Sequence, residues 1–222
     1  MTEGVLRNKQ RDHDPVWHVQ VAMVVAIALQ WLLPARYTVG PPYILPVIEV
    51  LLIIALGLTT PKDKIFRSLA RRVNAVLLIA IATVANTYAL AGVANQLLQG
   101  TKAAENGKHL ILAALNIYLT NIIIFGLWYW ELDGGGPGAR LAIAKHEHDF
   151  LFPQQQNESY KHPQWRPTFI DYLYVSSTNA MAFSPTDTMP LSRRGKMLML
   201  AQATLSLISV ALVAARAVNI LH

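Results

Sequence analysis

The side chains best suited to handling an ion are concentrated in residues 171–190, which read DYLYVSSTNAMAFSPTDTMP. This segment combines hydroxyl and amide groups with two carboxylates, Asp171 and Asp187, and contains no Lys or Arg. Rings of oxygen ligands and carboxylates line cation channels, where they replace the hydration shell of the ion. Cation conduction is therefore one chemistry that these residues can support.

The same residues also have purely structural explanations. Asp187 lies in the turn-rich run 185–188, where a carboxylate can cap a turn instead of attracting cations to a pore mouth. The run 176–179, Ser-Ser-Thr-Asn, can face a permeation path, but such side chains also hydrogen-bond the neighbouring backbone of a bent segment. The sequence alone leaves both explanations open.

Two other motifs give no support to an enzyme or a metal protein. In residues 145–149, KHEHD, His146 and His148 do not share a helical face, and no third ligand follows at a known spacing. Because structural zinc needs about four converging ligands, we expect no metal site. The run 134–138, GGGPG, lacks the Lys and the preceding strand of a phosphate loop and is interpreted as a flexible hinge. With no cysteine and no nucleophile elbow, the chain is expected to be neither an enzyme nor a cofactor-binding protein.

The elements that hold these residues are expected to be membrane helices. The chain has 222 residues, of which 53% are hydrophobic and only 14% charged, well below the charged fraction of a soluble domain. Several apolar runs approach the ~20 residues that a helix needs to cross a bilayer. The net charge of +6 does not indicate a nucleic-acid partner, because the cations lie in short loops beside apolar runs. The lipid bilayer is the expected partner.

The pattern predicts an all-α, polytopic integral membrane protein with five spanning helices and one short re-entrant helix. The expected spans are residues 16–33, 43–58, 73–98, 110–130 and 196–221. Residues 169–182 can form a helix only about 20 Å long, too short to span, and Pro185 and Pro190 prevent its continuation. The regions are a polar N-terminal tail, a four-helix membrane region, an extramembrane connection and the re-entrant segment with the last span, at 1–15, 16–131, 132–167 and 168–222.

The C-terminal half resembles the pore module of potassium-channel-like proteins, in which a pore helix, a filter loop and an inner helix follow one another. Such modules often read D-A-L-Y-F-S, then T-V-G-Y-G-D-x-x-P. Here Asp171 opens the segment, Tyr174 begins Y-V-S, and D-T-M-P starts at Asp187. The separation of the two aspartates agrees with the family pattern. Where the family has T-V-G-Y-G, this chain has A-F-S-P-T in residues 182–186.

The resemblance implies a homotetramer that conducts ions passively, monovalent cations among them, without potassium selectivity. A potassium filter needs the backbone freedom of glycine, whereas Pro185 fixes φ near −65°. Asp171 and Tyr174 would begin the pore helix. The residues that would form the pore loop are Thr178, Asn179, Ala182, Phe183, Ser184, Pro185, Thr186 and Asp187.

The chain is also similar to uncharacterised bacterial membrane proteins of the DUF1345-like families. These share a D-[FY]-x-Y-x-S-x-T pattern followed by an SD or TD turn, together with phrases such as FGLWYWELDGGGP and DFLFPQ. This resemblance carries no activity. It implies the same architecture and a multi-pass location in the bacterial cytoplasmic (inner) membrane.

Two alternatives remain open at this point. The chain can be a non-conducting scaffold or a small-solute transporter that kept the channel fold and lost the filter.

The expected orientation conflicts with the channel comparison. The basic run 62–72 is placed in the cytoplasm by its charge, and the filter-like loop then enters the membrane from the cytoplasmic side. Potassium channels have the opposite orientation.

Overall fold

The computed structural model describes residues 16–34, 37, 47, 50–51, 54, 69–98, 107–140, 148–156, 165–182 and 187–220. Within these ranges the chain is mostly helical. The helices are α1 (Val16–Trp31), α2 (Leu69–Leu98), α3 (Gly107–Leu132), α4 (Pro137–Arg140), α5 (Pro153–Gln156), α6 (Phe169–Ala182) and α7 (Arg193–Ile220). A 3₁₀ turn, Asp133–Gly135, joins α3 to α4, and two short strands are β1 (Phe150–Leu151) and β2 (Met189–Pro190).

Three helices are long and apolar enough to cross a membrane, namely Leu69–Leu97, His109–Gly135 and Arg193–Arg216. The shorter helix α1 is also apolar. The expected span 43–58 falls outside the described residues except at positions 47, 50, 51 and 54, which are helical and exposed. Many large apolar side chains point outward from the three long helices, as they do where lipid replaces water as the solvent.

Several helix boundaries differ from the prediction: α1 ends two residues early, α3 begins three residues early and ends two residues late, and α7 begins three residues early. Helix α6 occupies the expected range, Phe169–Ala182. Helix α2 begins at Leu69, four residues before the expected position. It therefore includes Arg71, which was expected to belong to the basic loop before the helix. Arg71 is only 5% exposed and pairs with a carboxylate of α3, so the interpretation of this arginine as a surface charge was wrong.

Helix α3 lies at the centre, and α1, α2 and α7 pack around it in antiparallel orientation. Asn116 Nδ2 donates to the Leu29 oxygen of α1 over 2.8 Å, and Asn86 Nδ2 of α2 donates to the Ile117 oxygen over 3.2 Å. Asn121 Nδ2 reaches Ser206 Oγ of α7 at 2.9 Å. The starts of α1, α2 and α7 therefore lie at the same end of the bundle as the end of α3. We call this the Asp133 end.

Helix α6 enters the bundle from the Asp133 end, and the chain returns to that end. Phe169 makes an edge-on ring contact with Trp130, Leu173 packs against Gly126, and Ser176 meets the Ile122 oxygen of α3. A Cβ on Gly126 would lie 3.3 Å from the Leu173 Cα, so this glycine permits a close approach of the two helices.

The return is made by an antiparallel pairing of β1 with β2, which the sequence did not predict. Phe150 is opposite Pro190, and Leu151 is opposite Met189. The amide nitrogens of Asp149 and Phe150 donate to the Asp133 carboxylate, which attaches β1 to the end of α3. The segment before α6 and the segment after it thus lie at one end of the bundle.

Candidate functional site

The start of α6 is fixed by a cap that uses Asp171. Its Oδ2 accepts a hydrogen bond from the Thr168 amide nitrogen at 2.7 Å and another from Thr168 Oγ1 at 2.8 Å. A hydroxyl residue at the N-cap with an acidic residue three positions later is a capping pattern that satisfies amides otherwise left unpaired. Asp171 thus begins the helix, as expected. Tyr174 lies one turn later with 56% of its surface exposed.

The polar side chains of α6 hydrogen-bond with other helices of the same chain. Gln202 of α7 is fully buried, and its Nε2 donates to the Ser176 oxygen at 2.9 Å and to Ser176 Oγ at 2.7 Å. Its Oε1 accepts from Asn179 Nδ2 at 2.9 Å and from the Tyr129 hydroxyl at 2.5 Å. Asn179 Nδ2 also donates to the Met199 oxygen at 3.0 Å.

This network joins three helices through buried polar groups. Ser176 Oγ donates to the Ile122 oxygen at 2.6 Å, which connects α6 to α3 as well as to α7. Interhelical hydrogen bonds of this kind contribute about 0.6 kcal/mol each in a membrane, so their combined effect is to fix the position of α6. The network therefore holds α6 in place with side chains that were also candidates for lining a path.

Of the seven remaining pore-loop residues, the structure describes three, which are Thr178, Ala182 and Asp187. Thr178 is half-buried and donates to the Val175 oxygen of its own helix at 3.0 Å. Ala182 and Asp187 are exposed on the two sides of the loop. The other four predicted pore-loop residues, Phe183, Ser184, Pro185 and Thr186, lie outside the described residues.

A second cluster, centred on Asp133, was not anticipated. The carboxylate of Asp133 is fully buried. Its Oδ1 accepts the amide hydrogens of Asp149 at 2.6 Å and Phe150 at 3.2 Å, and its Oδ2 accepts the Tyr172 hydroxyl at 2.5 Å. His148 Nδ1 lies 3.5 Å from Oδ2. One carboxylate therefore connects α3 to β1 and α6.

Arg140 caps the C-terminal end of α3. Its Nη1 donates to the Trp130 oxygen at 2.8 Å and to the Asp133 oxygen at 2.7 Å. The last carbonyls of a helix have no partner within it, so a cation here satisfies them and complements the helix dipole. The guanidinium carbon of Arg140 is also 5.1 Å from the centre of the Tyr172 ring.

The glycine run after α3 is a packed turn, and its interpretation as a flexible hinge was wrong. Gly134, Gly135 and Gly136 have φ of 56°, 83° and 95°. A Cβ on Gly136 would lie 2.8 Å from the Glu131 oxygen, so the chain can turn this tightly only without a side chain there. The turn brings Asp133 and Arg140 together.

Glu131 and Arg71 form a buried ion pair beside this turn. Arg71 Nη2 donates to both carboxylate oxygens of Glu131 at 2.9 Å, and the side chains are 6% and 1% exposed. The Arg71 guanidinium also lies 5.8 Å from the centre of the Trp130 ring. An ionisable residue close to the end of an apolar helix was the signal that could have identified this pair.

His148 is the titratable group of the cluster that lies outside the membrane helices. Its contact with Asp133 raises the pKa of the imidazole above its ordinary value, since the carboxylate favours the protonated ring, although partial burial opposes this. Asp149, next to it, approaches Arg194 of α7 at 3.5 Å. Among the described residues, no three His, Asp or Glu side chains converge as metal ligands would.

No family model matches the sequence, and neither a curated protein nor a solved structure matches the chain. The resemblance to potassium-channel pore modules and to DUF1345-like proteins therefore stays a hypothesis based on sequence motifs. The described residues include a short helix, α6, that enters the bundle at the Asp133 end, a strand, β2, that lies at the same end, and two buried polar clusters.

Proposed function

We propose that this protein is a channel-like, multi-pass membrane protein that conducts ions passively through a path formed by the loop after α6. The observation that carries the proposal is that α6 enters the bundle from the Asp133 end while β2 returns to that same end. A helix of 14 residues, followed by a chain that returns to the end where the helix entered, is typical of a re-entrant pore helix.

The depth of α6 supports this proposal. Ser176 meets Ile122, which precedes Asp133 by 11 residues, or about 16 Å of helix. That distance is roughly half of a 30 Å hydrocarbon layer. In the proposed pore, the backbone that follows α6 would have to be covered by protein or line water at this depth. A water-lined opening at residues 182–188, shared between copies of the chain, meets this requirement.

Charge supports a cytoplasmic location for the Asp133 end. The segments joined to it, residues 1–15, 59–72 and 133–196, carry fifteen of the 19 Lys and Arg residues. Positive charge is retained on the cytoplasmic side of membrane proteins. The proposed protein therefore has five spans in a bacterial inner membrane, and its pore-like loop enters from the cytoplasm.

The proposed assembly is a homotetramer with α6 and residues 182–188 near the axis. The outward face of α6 carries Ile170, Tyr174 and Met181, which are 50%, 56% and 65% exposed. This apolar face is available for contact with a neighbouring copy or with lipid. Asp187, exposed just before β2, would attract monovalent cations to the mouth of the path.

A non-conducting scaffold is the second candidate function. It is favoured by the internal hydrogen bonds of Ser176 and Asn179, which remove these two side chains from any path lining. A chain that kept the re-entrant element only to fix its fold would have this arrangement. A small-solute transporter remains the third possibility, to be distinguished by the same measurement.

Ion flux into liposomes tests the proposal. Purified protein is reconstituted, its oligomeric state is measured by crosslinking, and uptake of potassium, sodium and chloride is compared at acidic and alkaline pH. The variants are Asp187→Asn and Pro185→Gly, and Glu158→Gln serves as a control that removes one negative charge outside the loop. Conduction predicts cation flux that Asp187→Asn lowers several-fold and Pro185→Gly alters in selectivity, with Glu158→Gln unchanged.

Other outcomes would refute conduction. A folded tetramer without flux under any of these conditions indicates the scaffold. Saturable uptake of an uncharged solute without ion current indicates a transporter. A monomer removes the basis for a shared path altogether.

A further inference from the structure

The first turn of α7 presents three exposed cations, Arg193, Arg194 and Lys196, at the Asp133 end of the bundle. Arg194 is turned toward the buried carboxylate of Asp149, which it approaches at 3.5 Å. Among the described residues, no carboxylate lies within ion-pair distance of Arg193 or Lys196. These two cations are therefore available to an anion from outside the chain.

The stability of α7 does not explain why cations occupy its first turn. The N-terminus is the positive end of the helix dipole, so carboxylates are favourable there and Lys or Arg are not. Helix α7 has no acidic residue in its first turn to offset Arg193 and Lys196. An anion bound to the two side chains would remove this unfavourable interaction.

The two cations lie at the boundary between polar and apolar surroundings. Arg193 and Lys196 are three positions apart and share one face of the helix. Met197 and Leu200, four and seven positions after Arg193, continue the same face along the candidate span and are both exposed. Because a spanning helix presents such side chains to acyl chains, the cations above them lie at the level of the lipid headgroups.

The backbone that carries the cations is held firmly by its neighbours. Ser192 Oγ accepts the Gly195 amide hydrogen at 3.0 Å, and the Leu191 nitrogen donates to the Asp149 oxygen at 2.8 Å. A Cβ on Gly195 would lie 3.3 Å from that same oxygen, so α7 packs closely against β1. Arg193 and Lys196 therefore extend from a fixed helix start and not from a loop.

We propose that Arg193 and Lys196 bind the phosphate of an anionic phospholipid in the leaflet at the Asp133 end. A guanidinium binds phosphate oxygens through two parallel hydrogen bonds, and the ammonium adds a second positive charge. The acyl chains of this lipid follow the exposed side chains of Met197 and Leu200. The site lies on the outer surface of α7, requires no cavity, and uses none of the residues assigned to the pore-like loop.

The headgroup decides which phospholipid fits. Phosphatidylglycerol and phosphatidylethanolamine both carry a phosphate, but only the second carries an ammonium group beside it. Two cations on one helix face repel that ammonium and favour the lipid with a net negative charge. Each Lys or Arg near the membrane surface favours an anionic lipid about fivefold, so two together are expected to provide about 25-fold.

A fluorophore one turn below the cations measures which lipid is bound. The chain contains no cysteine, so Leu200→Cys gives the full chain a unique attachment point. The labelled protein is placed in nanodiscs of equal phosphatidylglycerol and phosphatidylethanolamine, with a nitroxide quencher on the acyl chain of one lipid or of the other. Quenching is expected to show the preference for phosphatidylglycerol at this position.

A second label position controls for the average charge of the protein surface. Val24→Cys places the fluorophore on an exposed position of α1, eight residues after the start of that helix, as Leu200 lies seven after the start of α7. Helix α1 contains no Lys or Arg. The Val24 label is therefore expected to be quenched nearly equally by the two lipids.

Three variants, each combined with Leu200→Cys, assign the preference to individual side chains. Arg193→Gln and Lys196→Gln are each expected to lower it about fivefold. Arg194→Gln makes the same charge change on the same turn, but this arginine is turned toward Asp149, so the preference is expected to remain nearly unchanged. A thermal melt verifies that each variant is folded.

Three results would overturn the proposal. Equal quenching by the two lipids at Leu200→Cys would leave the cations as determinants of orientation alone. A loss in Arg194→Gln as large as in Arg193→Gln, or an equal preference at Val24→Cys, would show a general attraction of the surface for anionic lipid. If neither lipid quenches the Leu200→Cys label, another copy of the chain covers this face.

Discussion

Arg71→Met is expected to destabilise the protein more than any other single substitution at the Asp133 end. The guanidinium gives both oxygens of the buried Glu131 a partner at 2.9 Å, and it lies over the Trp130 ring. Arg71→Met leaves the carboxylate buried without its counter-charge. Breaking a buried pair in this way costs about 3–5 kcal/mol.

A double-mutant cycle measures this effect. The free energy of unfolding is determined by denaturant titration in mixed micelles for Arg71→Met, Glu131→Met and the double variant. Because the double variant leaves no unpaired charge, it is expected to be more stable than either single variant. Arg72→Met is the matched control, since Arg72 is the adjacent half-exposed arginine on the same helix turn.

The reasoning fails if Arg71→Met costs less than about 1 kcal/mol, the usual value of an exposed ion pair. It also fails if Arg71→Met and Arg72→Met cost the same, because both arginines would then act as surface charges. Additive losses in the double variant would show that Arg71 and Glu131 do not act as a pair.

Three further predictions concern the polar clusters. Gln202→Leu removes the centre of the α6 network and is expected to lower the free energy of unfolding by about 1–3 kcal/mol, measured by the same titration. Gly136→Ala is expected to cost about 1–3 kcal/mol because of its positive φ and backbone clash, whereas Gly92→Ala, which meets only ordinary contacts, costs little in a parallel melt. The protonated His148 ring stabilises the Asp133 cluster, so its contribution is complete below the ordinary pKa of 6.5 and is lost as pH rises through the raised pKa. Stability measured from pH 5 to 9 should lose this slope in His148→Gln; an unchanged slope would contradict the assignment.

Local pattern was sufficient to predict most of the helices. The apolar run that became α7 was recognisable from its length, and the short stretch Phe169–Ala182 was recognisable from the prolines that follow it. Asp171 was placed at a helix start, and it caps one. These features depend on residues close together in the chain, which is why periodicity and breakers revealed them.

Long-range pairings could not be predicted in the same way. Arg71 and Glu131 are 60 positions apart, and nothing local distinguishes Arg71 from the loop cations before it. The glycine run had the composition of a flexible linker, although its third glycine is required by a backbone oxygen of α3. For Ser176 and Asn179, the sequence left both a path lining and hydrogen bonding within the chain open, because the partner that decides between them is Gln202 of another helix.

The hydrogen bond between Asp133 and Tyr172 also limits how early during biosynthesis the end of α3 can complete its packing. The two residues are 39 positions apart, and at 5–20 residues per second the ribosome needs roughly 2 to 8 s to travel between them. During that interval α3 has been made, but Asp133 has neither the tyrosine hydroxyl nor the β1 amides to accept from. We therefore expect the end of α3 to reach its final packing only after α6 has been synthesised and can donate the Tyr172 hydroxyl to Asp133.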